Sequence, residues 1–149
     1  MANEVEGHGL VRAPQAMHQI GEVAEAVGLS LRTIRYYGEV GLVEPSGRST
    51  GGFRLYTADD MDRLRLLKDM KPLDFTLEDM RELLGVRDEL EGGVADDERR
   101  NALLERLAMY TAAAQERCAR LRDQLTIAES FSGKLRHEVA RHRRPEEDQ

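Results

Sequence analysis

The sequence predicts a mainly α-helical protein, a winged helix-turn-helix domain followed by a long coiled-coil dimerisation helix. Three observations predict it. Two short helical stretches meet at Gly28, a Gly- and Pro-rich tip with short strand-like runs on either side follows them, and an apolar stripe at coiled-coil spacing runs along the C-terminal third.

Residues 1–17 show no periodicity and are broken by Gly7, Gly9 and Pro14, which predicts a flexible leader. From Gln19 the pattern turns helical, with Ile20, Val23, Ala24 and Val27 on one face. Gly28 permits a sharp turn, under which Leu29 can pack. Ser30 is a good N-cap for a second helix whose inward face would be Leu31, Ile34 and Tyr37. Leu42-Val43-Glu44 and Phe53-Arg54-Leu55-Tyr56 read as the two strands of a hairpin, the wing, around Pro45, Ser46, Gly47, Gly51 and Gly52.

Thr57 to Asp60 form a capping box that opens a helix to about Lys71, which Pro72 helps to stop. Thr76 to Asp79 open another, buried through Leu77, Met80, Leu83 and Leu84 and broken by Gly85, Gly92 and Gly93. The expected organisation is a leader over 1–17, a winged helix-turn-helix over 18–85, a linker over 86–96, a dimerisation helix over 97–142 and a disordered tail over 143–149.

The last helix carries a heptad pattern. Its a positions are Leu104, Thr111, Cys118, Leu125, Ser132 and Val139, and its d positions are Leu107, Ala114, Leu121, Ala128, Leu135 and His142. Little chain remains to cover that stripe, so a second copy of the same helix is the simplest cover, giving a two-fold homodimer. Strand direction does not follow from the heptads alone.

Composition agrees. The chain has 149 residues, 34% of them charged, and no Trp, which suits a small domain with an appended helix and a core that a partner chain completes. No apolar run approaches the roughly 18 residues of a membrane helix, and no basic-then-apolar signal order opens the chain, so a cytoplasmic protein without membrane contact is expected. One cysteine makes no internal disulfide framework.

The net charge of −6 matters less than its distribution. From Ser30 to Tyr56 stand Arg32, Arg35, Arg48 and Arg54 against Glu39 and Glu44 alone, while the acidic excess lies elsewhere, notably over 88–98. Such a chain repels nucleic acid except where its basic surface meets it. In a helix-turn-helix the second helix enters the major groove. Arg32 and Arg35 suit guanine edges or phosphates, Thr33 and Tyr36 can donate hydroxyls to the backbone, and Arg48, Arg54 and Tyr56 of the wing would reach the flanking backbone or minor groove. No nucleophile–base pair, carboxylate cluster or phosphate-cradling Gly loop appears, so no enzyme, catalytic residue or cofactor is expected.

The stretch IGEVAEAVGLSLRTIRYYGEVGLVEP, followed by GRSTGGFRLYTADDMDRLRLLKDMKPLDFTLEDMRELL, strongly resembles the mercury-resistance regulator (MerR) family over about residues 19–84. The resemblance implies DNA contacts at Arg32, Thr33, Arg35, Tyr36 and Tyr37 of the second helix and at Arg48, Phe53, Arg54 and Tyr56 of the wing. Tyr37 stands near Ile34 in phase, so core packing is equally open for it. It further implies an antiparallel coiled-coil dimer that binds an inverted repeat in double-stranded promoter DNA and acts on RNA polymerase there, by bending and untwisting an over-long spacer or by simple repression.

The chain departs from the family at Lys71-Pro72-Leu73-Asp74-Phe75, where members usually place Gly; Asp tolerates the left-handed turn. Metal-sensing relatives carry cysteines at the start of the dimer helix and in a loop after it, and neither region has one here. Cys118 falls mid-helix, as a small core residue or a thiol at the seam, and His137 and His142 are five apart rather than four, so no metal site is expected. Nor does the sequence leave room after His142 for the large ligand-binding domain of drug-sensing relatives. Two other readings use the same features: an excisionase-like DNA-bending factor, disfavoured by the long helix, and a coiled-coil adaptor for a protein partner, disfavoured by the intact arginine set.

Overall fold

The computed structural model describes residues 16–146. Nearly all of the expected leader and the last three residues lie outside the described residues. The order is β1 (His18–Gln19), α1 (Ile20–Val27), α2 (Leu31–Glu39), β2 (Gly47–Arg48), β3 (Arg54–Tyr56), α3 (Ala58–Met70), a 3-10 turn (Lys71–Leu73), α4 (Leu77–Glu91) and α5 (Asp97–His142). The chain divides into two compact units after Leu84. Among the described residues no helix is long and apolar enough to cross a membrane.

In the first unit α1 ends as Gly28 enters the left-handed region at φ 72° and returns its N–H to the Ala24 carbonyl. Ser30 then caps α2, its hydroxyl accepting from the Thr33 amide at 3.1 Å. Val23 and Val27 of α1, Ile34 and Tyr37 of α2, and Leu64, Leu67 and Met70 of α3 form the buried core. Lys68 reaches from α3 to the end of α1, where its ammonium donates to the Val27 carbonyl at 3.0 Å. The sheet has the order β1-β3-β2 and is antiparallel throughout, with His18 opposite Tyr56 and Arg48 opposite Arg54.

Three local expectations are corrected, and one strand is added to them. Leu42–Glu44 is not a strand. The Leu42 and Val43 amides both donate to the Tyr37 carbonyl and close α2, so the ladder begins only at Gly47 while Leu42 and Val43 bury their side chains. β1, two residues without alternation, was not anticipated and exists because β3 offers it an edge. Leu31 and Leu77 sit in the exposed first turns of their helices rather than in the core. Gly85 does not break α4, which runs on to Glu91, so residues 86–91 of the expected linker are helical and Val86 is buried.

The capping boxes hold as expected: Thr57 with Asp60 opens α3, and Thr76 with Asp79 opens α4 through reciprocal bonds of 2.9 and 3.1 Å. Between these helices Asp74 takes φ 61°, the left-handed conformation expected where relatives place Gly. In the second unit Asp96 caps α5, and Arg99 grips Glu89 with two bonds of 3.0 and 2.7 Å. That guanidinium holds the Glu89 carboxyl below its ordinary range. α5 spans Asp97–His142, and residues 143–146 leave it as coil.

Gly28→Ala tests the helix-turn-helix corner. An added Cβ would lie 2.6 Å from the Lys68 ammonium and force a left-handed alanine. Chemical denaturation should show a loss of about 1–2 kcal/mol; an unchanged midpoint would contradict the account of this turn.

Candidate nucleic-acid interface

α2 is amphipathic to a degree that sorts its side chains into two roles. Ile34 is fully buried and Tyr37 is 2% exposed, so Tyr37 stands in the core, the packing half of the alternative its sequence phase left open. Burial, with the neighbouring Tyr36, raises its hydroxyl above the ordinary tyrosine range. Arg32, Arg35 and Tyr36 project from the opposite side and are exposed. Thr33 is half-buried, and its hydroxyl lies 2.8 Å from that of Ser30, which fixes its rotamer at the helix start.

The wing is built by its turn. The Ser49 amide donates to the Phe53 carbonyl, the Phe53 amide to the Ser49 hydroxyl, and Gly52, at φ 80°, donates back to the Ser49 carbonyl. Arg48 crosses the turn and donates to the Gly52 carbonyl at 3.0 Å, which holds its guanidinium at the tip. Phe53 is 67% exposed, an unusual position for a large apolar ring without a partner surface.

Tyr56 departs from the expectation of an outward wing contact, for its side chain is fully buried. The strand alternation was read correctly, but the face shared by Arg54 and Tyr56 turns inward at its β1-paired end. Among the described residues the Tyr56 hydroxyl has no hydrogen-bond partner. Burial raises it above the ordinary range, and the charges acting on it are those of Arg54, Asp60, Arg35 and Arg48. The phenol therefore lies in the field of three arginines from α2 and the wing.

Two grooves flank α2. One, of about 360 Å³, is bounded by Gln19 and Ile20, by Arg35, and by Arg48, Gly52, Phe53 and Arg54 of the wing. The other, of about 420 Å³, is bounded by Arg32, Thr33 and the two tyrosines of α2, by Lys71 and Phe75 of the α3–α4 connection, and by Leu77 and Met80. Each groove thus has an α2 arginine on one wall and a second cation on another. Such a surface can accept a phosphate strand on each side of a helix lodged between them.

Sequence reasoning missed three contributors. Lys71 was read as a helix end, yet it lines the second groove. Arg81 donates to the Val40 carbonyl at 2.8 Å and secures the end of α2 from α4. Asp60 was read as a cap and proves to be a junction as well. Only 5% exposed, it accepts from the Thr57 amide at 2.9 Å and also from the Ser46 hydroxyl of the wing turn. A carboxylate inside a capping box next to a wing is the only signal that could have suggested it.

The remaining sequence candidates lie on α5. Leu104, Thr111, Leu121, Leu125, Ala128 and Leu135 are exposed, while Leu107, Ala114 and Cys118 are half-buried. Glu138 accepts from Arg141 and lies 3.3 Å from the His142 ring. Among the described residues no group of three or more His, Cys, Asp or Glu could hold a metal ion.

A helix-turn-helix with an adjoining wing and cationic grooves on both sides of its second helix is the fold and surface of a DNA-binding transcription regulator. Comparisons with known proteins identify which. The sequence matches the family described as "MerR HTH family regulatory protein" over residues 19–85 and that described as "MerR, DNA binding" over residues 61–127. It is 34% identical to the mercuric resistance operon regulatory protein of Bacillus cereus, over 70% of this chain and 88% of that protein. It is 44% identical to the HTH-type transcriptional regulator ZntR of Escherichia coli K12, over 48% of this chain, and there it spans only half of the relative's length.

Among solved structures, HiNmlR, a MerR family regulator lacking the sensor domain and bound to promoter DNA, shares the fold with a TM-score of 0.62, 23% identity and coverage of 84% and 85% of the two chains. The chain belongs to the MerR family. It is a DNA-binding transcription regulator and not an enzyme.

Asp60→Ala should destabilise the protein by about 2–3 kcal/mol, since it strips a buried charge-assisted bond from both Ser46 and the Thr57 amide. Ser46→Ala should cost about 1 kcal/mol. An unchanged urea midpoint for Ser46→Ala would show that Asp60 only caps the helix.

Proposed function

We propose that two copies of this chain, joined along α5, bind an inverted repeat in double-stranded promoter DNA. α2 enters the major groove of each half-site, with Arg32 and Arg35 meeting base edges or phosphates and Thr33 and Tyr36 meeting the backbone. Arg48, Phe53 and Arg54 of the wing grip the flanking strand. The observation that carries this reading is the pair of cationic grooves on either side of α2, each bounded by an α2 arginine and a second basic residue.

Within it, Tyr37 supports α2 from the core. Tyr56 presents a buried, unpartnered hydroxyl beneath the wing arginines, where a phosphate oxygen held by them could accept its proton. The winged unit over 18–85 thus reads DNA, and the helix over 97–142 spaces the two readers.

A dimer fixed at two half-sites can bend and untwist the DNA between them, a deformation of about 1–10 kcal/mol that the wing contacts offset. On a promoter with an over-long spacer this would align the elements that RNA polymerase reads, which makes polymerase on the same DNA the functional partner. The site of action is the cytoplasm, with the chromosome.

Arg35→Ala should weaken binding to the operator by about 1–3 kcal/mol and to random DNA far less, as measured by fluorescence anisotropy at fixed salt. Equal loss on both DNAs would show that Arg35 touches phosphate alone. Arg48→Ala should weaken both to the same extent and lower the salt slope by about one.

A further inference from the structure

The two grooves beside α2 are chemically unlike. The one shared with the wing is bounded by three guanidiniums, Arg35, Arg48 and Arg54, with Phe53 as its aromatic ring. That set suits a phosphate strand. The groove towards α4 has Arg32 and Lys71 as its cations, and its other walls are mostly apolar: Tyr36, Phe75, Leu77 and Met80. A phosphate strand has no use for those side chains, and leaving such surface to water is unfavourable. α2 therefore carries an apolar hollow under a cationic rim, which DNA reading by itself does not explain.

Local structure makes the hollow. The capping box of Thr76 with Asp79 starts α4 at Leu77, so Leu77 stands in the exposed first turn while Met80, one turn on, is buried. Asp74, in the left-handed region, turns the chain between the 3-10 segment and α4 and leaves Lys71 and Phe75 on one groove. On the α2 side the rings of Tyr36 and Tyr37 stand 6.0 Å apart, tilted by 44°. Tyr36 is exposed and Tyr37 buried, which carries aromatic surface from the rim to the floor. Among the described residues no carboxylate bounds the groove, although Asp74, Glu78 and Asp79 are close in the chain.

From this division we infer that the α2–α4 groove binds a small aromatic carboxylate, and that its occupancy excludes DNA. The groove's volume of about 420 Å³ lies within the range of small-molecule sites, about 300–1,000 Å³. A flat ring meets Tyr36 and Phe75 by stacking or edge contact, and the flexible Met80 adapts to its outline. The carboxylate meets Arg32, whose planar fork can donate to both oxygens, and Lys71 beside it. A neutral ring forgoes the charged half of this match, inorganic phosphate forgoes the apolar half, and a cationic ligand is repelled by the rim.

The inference rests on the proposed DNA reading and adds a regulator to it. Arg32 and Lys71 are the cations that would face the phosphate strand on this side, so carboxylate and phosphate compete for the same donors. By linkage the ligand weakens DNA binding as much as DNA weakens ligand binding. The signal then acts inside the DNA-reading unit, without passing through α5.

The test uses the full chain, with β-naphthoate as the probe and its neutral amide, β-naphthamide, as the control for charge. Without DNA, β-naphthoate should shift the backbone amide NMR signals of residues 32–37 and 71–80, and the control should bind more weakly by about fivefold or more. Phe75→Ala and Lys71→Gln should each weaken the acid by about five- to tenfold. Leu77→Trp, at an exposed first-turn position that tolerates a larger ring, should fill the groove and abolish binding. At about ten times its dissociation constant, β-naphthoate should raise the apparent Kd for operator by about tenfold or more in fluorescence anisotropy.

Absent shifts, shifts confined to α5, equal binding of acid and amide, or undiminished operator affinity at saturation would each overturn the inference. Operator and random DNA are compared before any probe is added. A free chain that binds both alike would overturn the DNA reading, and the exclusion with it.

Discussion

A single buried carboxylate sets the geometry of the DNA-facing surface. Asp60 is almost inaccessible, and it binds the first turn of α3 and the turn that leads into the wing through the same oxygen atom. A buried charge is tolerated only when donors surround it. The Ser46 hydroxyl and the Thr57 amide are those donors here, and they come from segments on either side of the hairpin. The wing therefore cannot swing freely on its Gly-rich stem. Its arginines are presented at a fixed distance from α2, whose own position is set by Ile34 and Tyr37 in the core and by Arg81 at its end.

This arrangement separates rigidity from recognition. The side chains that hold the unit, Tyr37 and Tyr56 among them, are inward, and most of those that could meet DNA, Arg32, Arg35, Tyr36, Arg48 and Phe53, are exposed. The unpartnered Tyr56 hydroxyl is the exception, a polar group whose burial costs free energy until something beside the arginines accepts its proton. That residual cost in the free protein is consistent with a surface shaped for an anionic partner.

Much of this was legible in the sequence, because local rules and tertiary packing agree along most of the chain. Ser30, Thr57 and Thr76 announced their helices by capping chemistry, Gly28 its turn by backbone freedom, and Asp74 its left-handed conformation by replacing a glycine. The bounds of α5 followed from an unbroken stripe. What failed depended on distant partners. Leu42 and Val43 look like a strand, but the Tyr37 carbonyl claims their amides first. β1 is too short to have a pattern of its own. Tyr56 alternates correctly with Arg54, yet period-two spacing cannot say which end of a twisted strand is covered. The double role of Asp60 was invisible because Ser46 lies fourteen residues away from it.

The central claim is that two chains, joined along α5, read one inverted repeat together, and native mass spectrometry on short duplexes tests it most directly. On a duplex with the full repeat the account predicts a complex of two chains with no one-chain species at intermediate protein concentration. On a half-site the same protein should bind far more weakly. One chain binding a half-site as tightly as a full repeat holds each of two would contradict it.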